Sequence, residues 1–240
     1  VISIRSIKDV EKVNELAKGA KNAVVIGGGV LGLEAAGELR KAKLNVTVLE
    51  GAPVLMAGKV DPETVRILTD VAKQKGIEIR VGVKIDEISG AEHVDGVVAD
   101  GEKLAADLVL VSTGVRANIA IAQAAGLATD RAVIVDKNMA SSAADIYAAG
   151  DCAQYDGANI TIWPVASEMG RIAGANAAGE ALVYEPEVNG MSFHGMGTSL
   201  FSIGDIGTKP DVSYKTVEIK DDKKQTLEKI WFRNNIISGA

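Results

Sequence analysis

The sequence predicts an α/β fold built on a doubly wound parallel sheet, and three observations predict it. Two apolar runs, "NAVVIG" at 22–27 and "DLVLVSTG" at 107–114, read as parallel strands covered on both faces. Residues 21–81 alternate as strand, helix, strand, helix, strand, a rhythm that implies parallel strands joined by helical crossovers. Glycine is plentiful at 26 residues and aromatics are scarce at 4%, which suits tight strand–helix turns.

Taken in order, residues 1–20 begin with a short strand-like piece. A helix follows, with Val10, Val13, Leu16 and Ala17 on one face and Gly19 near its stop. The run at 22–27 is the first buried strand, residues 30–42 are an Ala/Leu/Glu-rich helix, and "LNVTVLE" at 44–50 is the second strand. Residues 61–76 are a helix with clear punctuation: Asp61 caps it, Pro62 fits its first turn and Gly76 ends it. "IEIRVG" is the third strand. Residues 83–106 change to short alternating segments, an antiparallel meander with turns at Gly90 and Asp100-Gly101. After the buried strand at 107–114, "RANIAIAQAAGL" reads as helix, "AVIVD" as strand, 146–149 as a small-residue strand and 166–182 as an Ala-rich helix. From Met191 onward strands return. The charged "IKDDKKQT" reads as a solvated hairpin tip, and "RNNIISGA" opens a further strand.

The 240 residues suffice for one large domain or two ordinary ones, and 47% hydrophobic with 24% charged residues is the balance of a globular chain. A net charge of −6 argues against nucleic acid or an anionic membrane as partner, although local dipoles hold nucleotides in acidic proteins. Cys152 is the only cysteine, so a disulfide within the chain and a CxxC redox pair are both excluded. One thiol fits a reducing compartment, and a cytoplasmic location is expected. His93 and His194, the only histidines, lie far apart, and no cluster has metal-ligand spacing, so no metal site is expected. No basic-then-apolar leader pattern occurs, and no apolar run reaches membrane-spanning length.

Gly27, Gly29 and Gly32 form G-x-G-x-x-G between the first strand and its helix, the Rossmann-like dinucleotide fingerprint. Gly27 allows the tight turn, Gly29 lets a pyrophosphate approach the backbone, and Gly32 lets the helix pack against the strand. The helix N-terminus turns unpaired N–H groups and a positive dipole end toward the phosphates. Gly27, Gly29, Val30, Leu31 and Gly32 are therefore the candidate phosphate-binding set. Glu50 ends the second strand, where an acid takes the ribose hydroxyls and repels a 2′-phosphate. No Arg follows it in "GAP", so NAD(H) is favoured over NADP(H).

A second stretch, "IYAAGDCAQ", places Gly150 and Asp151 after a small-residue segment. From chemistry alone it has two readings, a turn or helix cap, and a carboxylate for polyol hydroxyls such as a ribityl chain. The series GGGVLGLEAA, VTVLE, VSTGVRAN, IYAAGDCAQ and ASEMGRIAGANAAG comes in one order with one spacing. It resembles the FAD-dependent pyridine nucleotide–disulfide oxidoreductase superfamily, in particular the branch of NADH:rubredoxin reductases, NADH oxidases and nitrite reductase flavoprotein domains, over essentially the whole chain.

That resemblance implies an NAD domain at 1–117, a C-terminal lobe of an FAD domain at 118–188, and the start of an α+β interface domain at 189–240. It implies that Gly114 lies where the chain returns to the FAD domain, and that Gly150 and Asp151 hold the ribityl or phosphate region of FAD. It further implies that Trp163 and Ala166 approach the isoalloxazine ring and that Glu34 sits where nicotinamide meets flavin. For Trp163 a core-filling role stands beside the flavin one; for Cys152, packing is favoured over redox chemistry. The FAD fingerprint of such proteins precedes the NAD domain and has no counterpart here, so the chain reads as an internal piece of a longer protein that binds FAD weakly or not at all by itself. The expected activity is hydride transfer from NADH to FAD and onward electron transfer to an acceptor such as rubredoxin or dioxygen, with a homodimer possible. The alternative is an NAD(H)-binding module without FAD or turnover.

Overall fold

The computed structural model describes residues 1–240 and divides them into two compact units, 1–114 with 188–240, and 115–187. Residues 188–240 thus group with residues 1–114.

The first unit is organised by a four-stranded parallel sheet of β1 (Asn22–Ile26), β2 (Asn45–Glu50), β3 (Ile77–Val81) and β7 (Leu108–Val111), in the order β3-β2-β1-β7. Strand parity assigns each apolar side chain a face. Ala23 and Val25 of β1, Val46 and Val48 of β2, and Leu108 and Leu110 of β7 point to one face. There they pack against α1 (Ile7–Ala17), α2 (Val30–Lys41) and α3 (Pro62–Gln74), through Val13, Leu33, Ala36, Leu39, Leu68 and Ala72. Val24, Ile26, Leu49 and Val109 point the other way. That face is covered by the antiparallel meander β4 (Ile85–Gly90), β5 (Val94–Ala99) and β6 (Glu102–Ala105), through Val97, Ala99 and Leu104. Both faces of the sheet are thus buried, which is why its strands read as unbroken apolar runs.

The helices begin and end as their punctuation dictates. The Asp61 carboxylate accepts from the Glu63 N–H at 3.1 Å, Pro62 stands in the first turn, and Gly76 takes a left-handed φ of +74° beyond the last one. In α1 only Val13 is buried; Val10 and Leu16, expected on its inner face, are each 43% exposed. The turn between β5 and β6 has positive φ at both Asp100 and Gly101, the two-residue hairpin geometry that a right-twisted strand pair requires.

The C-terminal strands cover the helical layer. Phe193 of β10 (Gly190–Gly195) and Met196, in the turn before β11 (Thr198–Ile203), are buried in the same core as α2. Strands β12 (Lys215–Asp221), β13 (Thr226–Arg233) and β14 (Ile236–Gly239) form an antiparallel sheet of their own. The charged tip is solvated, with Asp222, Lys223 and Lys224 exposed, and its edge also meets α3: Lys220 pairs with Glu63 at 2.7 Å, and Arg66 pairs with Glu63 at 2.7 Å and with Asp222 at 3.6 Å. Sequence alone shows such a tip as a charge run because its partners lie on a distant helix.

The second unit has a core of Val133, Val135, Met139, Ala153, Val165, Met169, Ile172 and Tyr184. Its two short parallel strands are β8 (Val133–Val135) and β9 (Ala153–Tyr155). Helix α4 (Ala120–Ala124) is shorter than expected, since no side chain caps its start and Gly126 closes it with φ +73°. Helix α5 (Trp163–Ala177) begins earlier than expected because Pro164 fits its first turn. The expected strand at 146–149 is not one; its only ladder contact is a bridge from Ala140 to Tyr147. The Ser141 N–H donates to the Ile146 carbonyl at 2.8 Å and the Ala148 N–H to the Met139 carbonyl at 3.1 Å, but the Met139 N–H turns back to the Asp136 carbonyl at 3.0 Å, and the pairing goes no further.

Asn176, buried on α5, donates to the carbonyls of Asn138 and Leu182 and accepts from the Leu182 N–H at 2.7 Å. Asn176→Ala leaves all three backbone groups without that partner and should destabilise the second unit by about 1–3 kcal/mol. A thermal melt followed by amide exchange in residues 115–187 checks this; unchanged protection at Leu182 would refute it.

The contacts of Arg66 and Lys220 hold the Glu63 carboxyl down at about 2, below its ordinary range. Because the folded value is the lower one, the contribution of this network is complete above the ordinary carboxylate range and is lost as pH falls toward about 2. Protection of the β12 and β13 amides, taken relative to the intrinsic exchange rate at each pH, should therefore fall across that window, and also at neutral pH in about 1 M salt, where exposed ion pairs are screened. Protection independent of both pH and salt would show that apolar packing alone seats the hairpin.

Candidate dinucleotide site

At the C-terminal end of β1 the chain must turn sharply, and three glycines serve three different needs. Gly27 turns with φ +116°, donates to the Leu49 carbonyl at 2.8 Å, and lies where a Cβ would overlap the Ser112 carbonyl oxygen. Gly32 faces the Gly27 carbonyl just as closely, so a side chain at 32 would push α2 off the sheet. Gly29 is different: it is the N-cap of α2 in extended conformation, and a Cβ built there meets nothing within 4 Å. The closed positions hold the loop, and the open one leaves room beside it. No side chain caps α2, so its first-turn N–H groups face that room unclaimed. Val30 packs partly into the core and Leu31 is 66% exposed.

Glu50, at the end of β2, reaches back to this loop. One carboxylate oxygen accepts from the Gly28 N–H at 2.6 Å and the other from the Ala52 N–H at 2.7 Å. Each oxygen keeps a lone pair, so the group is fixed in place yet still able to accept from a ligand hydroxyl. Gly28, absent from the sequence-based set, is the residue that links loop and acid. The legible signal for it was the uninterrupted triplet Gly27–Gly29, one glycine more than the fingerprint requires.

The site lies at the switch point of the sheet, since β1 is flanked by β2 on one side and β7 on the other. Gly114, exposed with φ +89°, follows β7 on that rim. Glu34 of α2 is half-buried, and one of its oxygens accepts from the His194 N–H of β10 at 3.0 Å. The residue expected near nicotinamide therefore also ties α2 to the C-terminal strands.

In the second unit, Gly150 has φ +73° and opens a single 3-10 turn over Gly150–Cys152. A Cβ on it would lie 3.3 Å from that of Ala166, so these two candidate residues are neighbours. The Asp151 side chain is exposed and accepts no hydrogen bond from the protein, whereas its carbonyl and that of Ala153 are both held by Asn159 Nδ2, at 3.0 and 2.7 Å. Asn159 was not foreseen, because an amide eight residues downstream carries no motif. Cys152 Sγ donates to the Ala149 carbonyl at 3.2 Å. Trp163, at the first turn of α5, is 84% exposed.

The family model described as "Pyridine nucleotide-disulphide oxidoreductase" matches residues 1–170. The chain belongs to that family. It is 31% identical over its whole length to a nitrite reductase [NAD(P)H] of Bacillus subtilis, of which it covers 30%. It is 35% identical over 155 residues, 64% of the chain, to a rubredoxin-NAD(+) reductase of Ectopseudomonas oleovorans, of which it covers 40%. The solved ferredoxin reductase for the CYP199A2 system of Rhodopseudomonas palustris matches with a TM-score of 0.87 and 30% identity, covering all of this chain and 60% of that one. The chain thus spans well under half the length of these two curated relatives. No helix of this pyridine nucleotide–disulphide oxidoreductase chain is long and apolar enough to cross a membrane.

The glycines yield a paired test. Gly29→Val should leave the melting temperature nearly unchanged and abolish dinucleotide binding, because the side chain enters the open space. Gly32→Val should unfold the first unit, because its side chain meets the Gly27 carbonyl. Circular-dichroism melts with NADH titration distinguish the two; equal loss of stability in both would contradict this division of roles.

Proposed function

We propose that the chain binds NADH at the glycine loop and belongs to a flavin-dependent NADH oxidoreductase that passes hydride from NADH to FAD and electrons to a further acceptor such as rubredoxin or dioxygen. The observation that carries the reading is the pairing of an open Gly29 with a Glu50 carboxylate fixed by two backbone N–H groups. A pyrophosphate fits against Gly29 and the first turn of α2, where aligned N–H groups stabilise negative charge. The adenosine ribose then donates its hydroxyls to Glu50. A 2′-phosphate would meet that carboxylate head-on with no Arg beside it, so NADH is preferred to NADPH.

In the second unit the free Asp151 carboxylate, the left-handed Gly150 and the uncapped α5 start with exposed Trp163 fit the ribityl and ring portions of a flavin. FAD, when bound, would supply the acceptor for a hydride. The protein's own task is then to align and shield: Asp151 accepts from polyol hydroxyls, Asn159 keeps its turn in shape, and the α5 N-terminus offers N–H groups to a developing negative charge. The names of the two curated relatives, reductases working with NAD(P)H or NAD(+), support this class of chemistry.

Calorimetry with NADH and NADPH tests the proposal. Glu50→Ala should weaken NADH binding by about 1.5–3 kcal/mol, the worth of a hydrogen bond to a charged acceptor. Equal NADH affinity in wild type and variant would remove Glu50 from the ribose. The absorbance of the purified chain reports flavin: FAD at stoichiometric level with NADH oxidation supports turnover by this chain, and a colourless protein that binds NADH supports the binding-module alternative.

A further inference from the structure

We propose that Gly28 is a positioning residue for dinucleotide selection, acting through Glu50 and resting on the NADH site proposed above. Gly28 is buried and outside the fingerprint positions, and its φ lies outside the left-handed region, so backbone freedom does not explain a glycine here. Its surroundings do. A Cβ at 28 would stand 2.6 Å from Leu55 Cδ2, 3.1 Å from Glu50 Cβ and 3.2 Å from Glu50 Oε2. The missing side chain is what lets the Glu50 carboxylate lie against the loop.

Gly28 is also held from both sides. Its N–H donates to Glu50 Oε2 at 2.6 Å, and its carbonyl accepts from the Met56 N–H at 3.1 Å. Glu50 Oε1 accepts in turn from the Ala52 N–H at 2.7 Å. The acid that meets the ribose, the segment 52–56 that follows it, and the phosphate loop are therefore one hydrogen-bonded unit, anchored by Leu55 and Met56 in the core. A carboxylate held by two backbone donors is unable to swing away from a 2′-phosphate. The charge stays where it excludes NADPH, and its free lone pairs stay where they receive the 2′- and 3′-hydroxyls of NADH. Selectivity thus depends on the acid being held still as well as on its being present.

Gly28→Ala should displace the carboxylate, weaken NADH binding and relax the exclusion of NADPH, lowering the NADH/NADPH affinity ratio by about tenfold. The double variant Gly28→Ala with Leu55→Val separates positioning from packing. It removes the contact with the Leu55 methyl but keeps the one with Glu50, so stability should return while the affinity ratio stays low. The measurements are melting temperature and calorimetric affinity for NADH and NADPH, made on the full 240-residue chain. An affinity ratio that returns together with stability, or that never changes in Gly28→Ala, overturns the role of Gly28 while leaving the NADH site standing. A wild-type chain that binds neither dinucleotide, or binds both alike, overturns the NADH site and this inference with it.

Discussion

The first unit depends on one close backbone approach, where Gly27 and Gly32 meet and Ser112 closes over them. Three backbone segments, the end of β1, the first turn of α2 and the chain after β7, come closer here than any side chain permits. That contact sets the distance of α2 from the sheet and fixes the registration of β1 with β7, which continues as the Ser112 N–H donates to the Ile26 carbonyl at 2.8 Å. Once α2 is seated, Leu33, Ala36 and Leu39 drop into the core, and Gly37 receives the β10–β11 turn at Met196. Packing and ligand recognition therefore share a single constraint. Gly27 and Gly32 let the helix approach, and Gly29 between them leaves its N-terminus bare, where anions are attracted.

Around that point, charged side chains act mainly as braces for backbone. Asp107 accepts from the Lys21 and Asn22 N–H groups ahead of β1, which keeps its carboxyl below the ordinary range. Glu50 also braces backbone, accepting from the Gly28 and Ala52 N–H groups, and Glu34 accepts from the His194 N–H. A carboxylate accepting from backbone donors is worth more than an exposed ion pair, because the donors lose little freedom on bonding. The second unit uses amides to the same end. Gln154 accepts from the Arg131 and Ala132 N–H groups and donates to Asp130, while Asn159 and Asn176 knit turns that short strands alone leave unsupported.

What the amino-acid sequence by itself determined is the parallel sheet, its main helices, its meander and the close backbone approach at Gly27 and Gly32. Those features rest on local rules: strands buried on both faces are apolar without interruption, helices carry caps, and a sharp strand–helix turn demands glycine. The acid at Glu50 was legible for the same reason, as a fixed position at the end of β2. Tertiary structure alone decided the matters that depend on distant partners. It showed that Gly28 is glycine because of Leu55 and Glu50, that Glu34 serves β10, that Asn159 shapes the Asp151 turn, and that the charged hairpin tip pairs with α3. It also reduced the strand at 146–149 to a single bridge, because the Met139 N–H opposite turns back to the Asp136 carbonyl. Local periodicity reports what a residue prefers, whereas a hydrogen bond across a hundred residues depends on which backbone groups the rest of the fold has left unsatisfied.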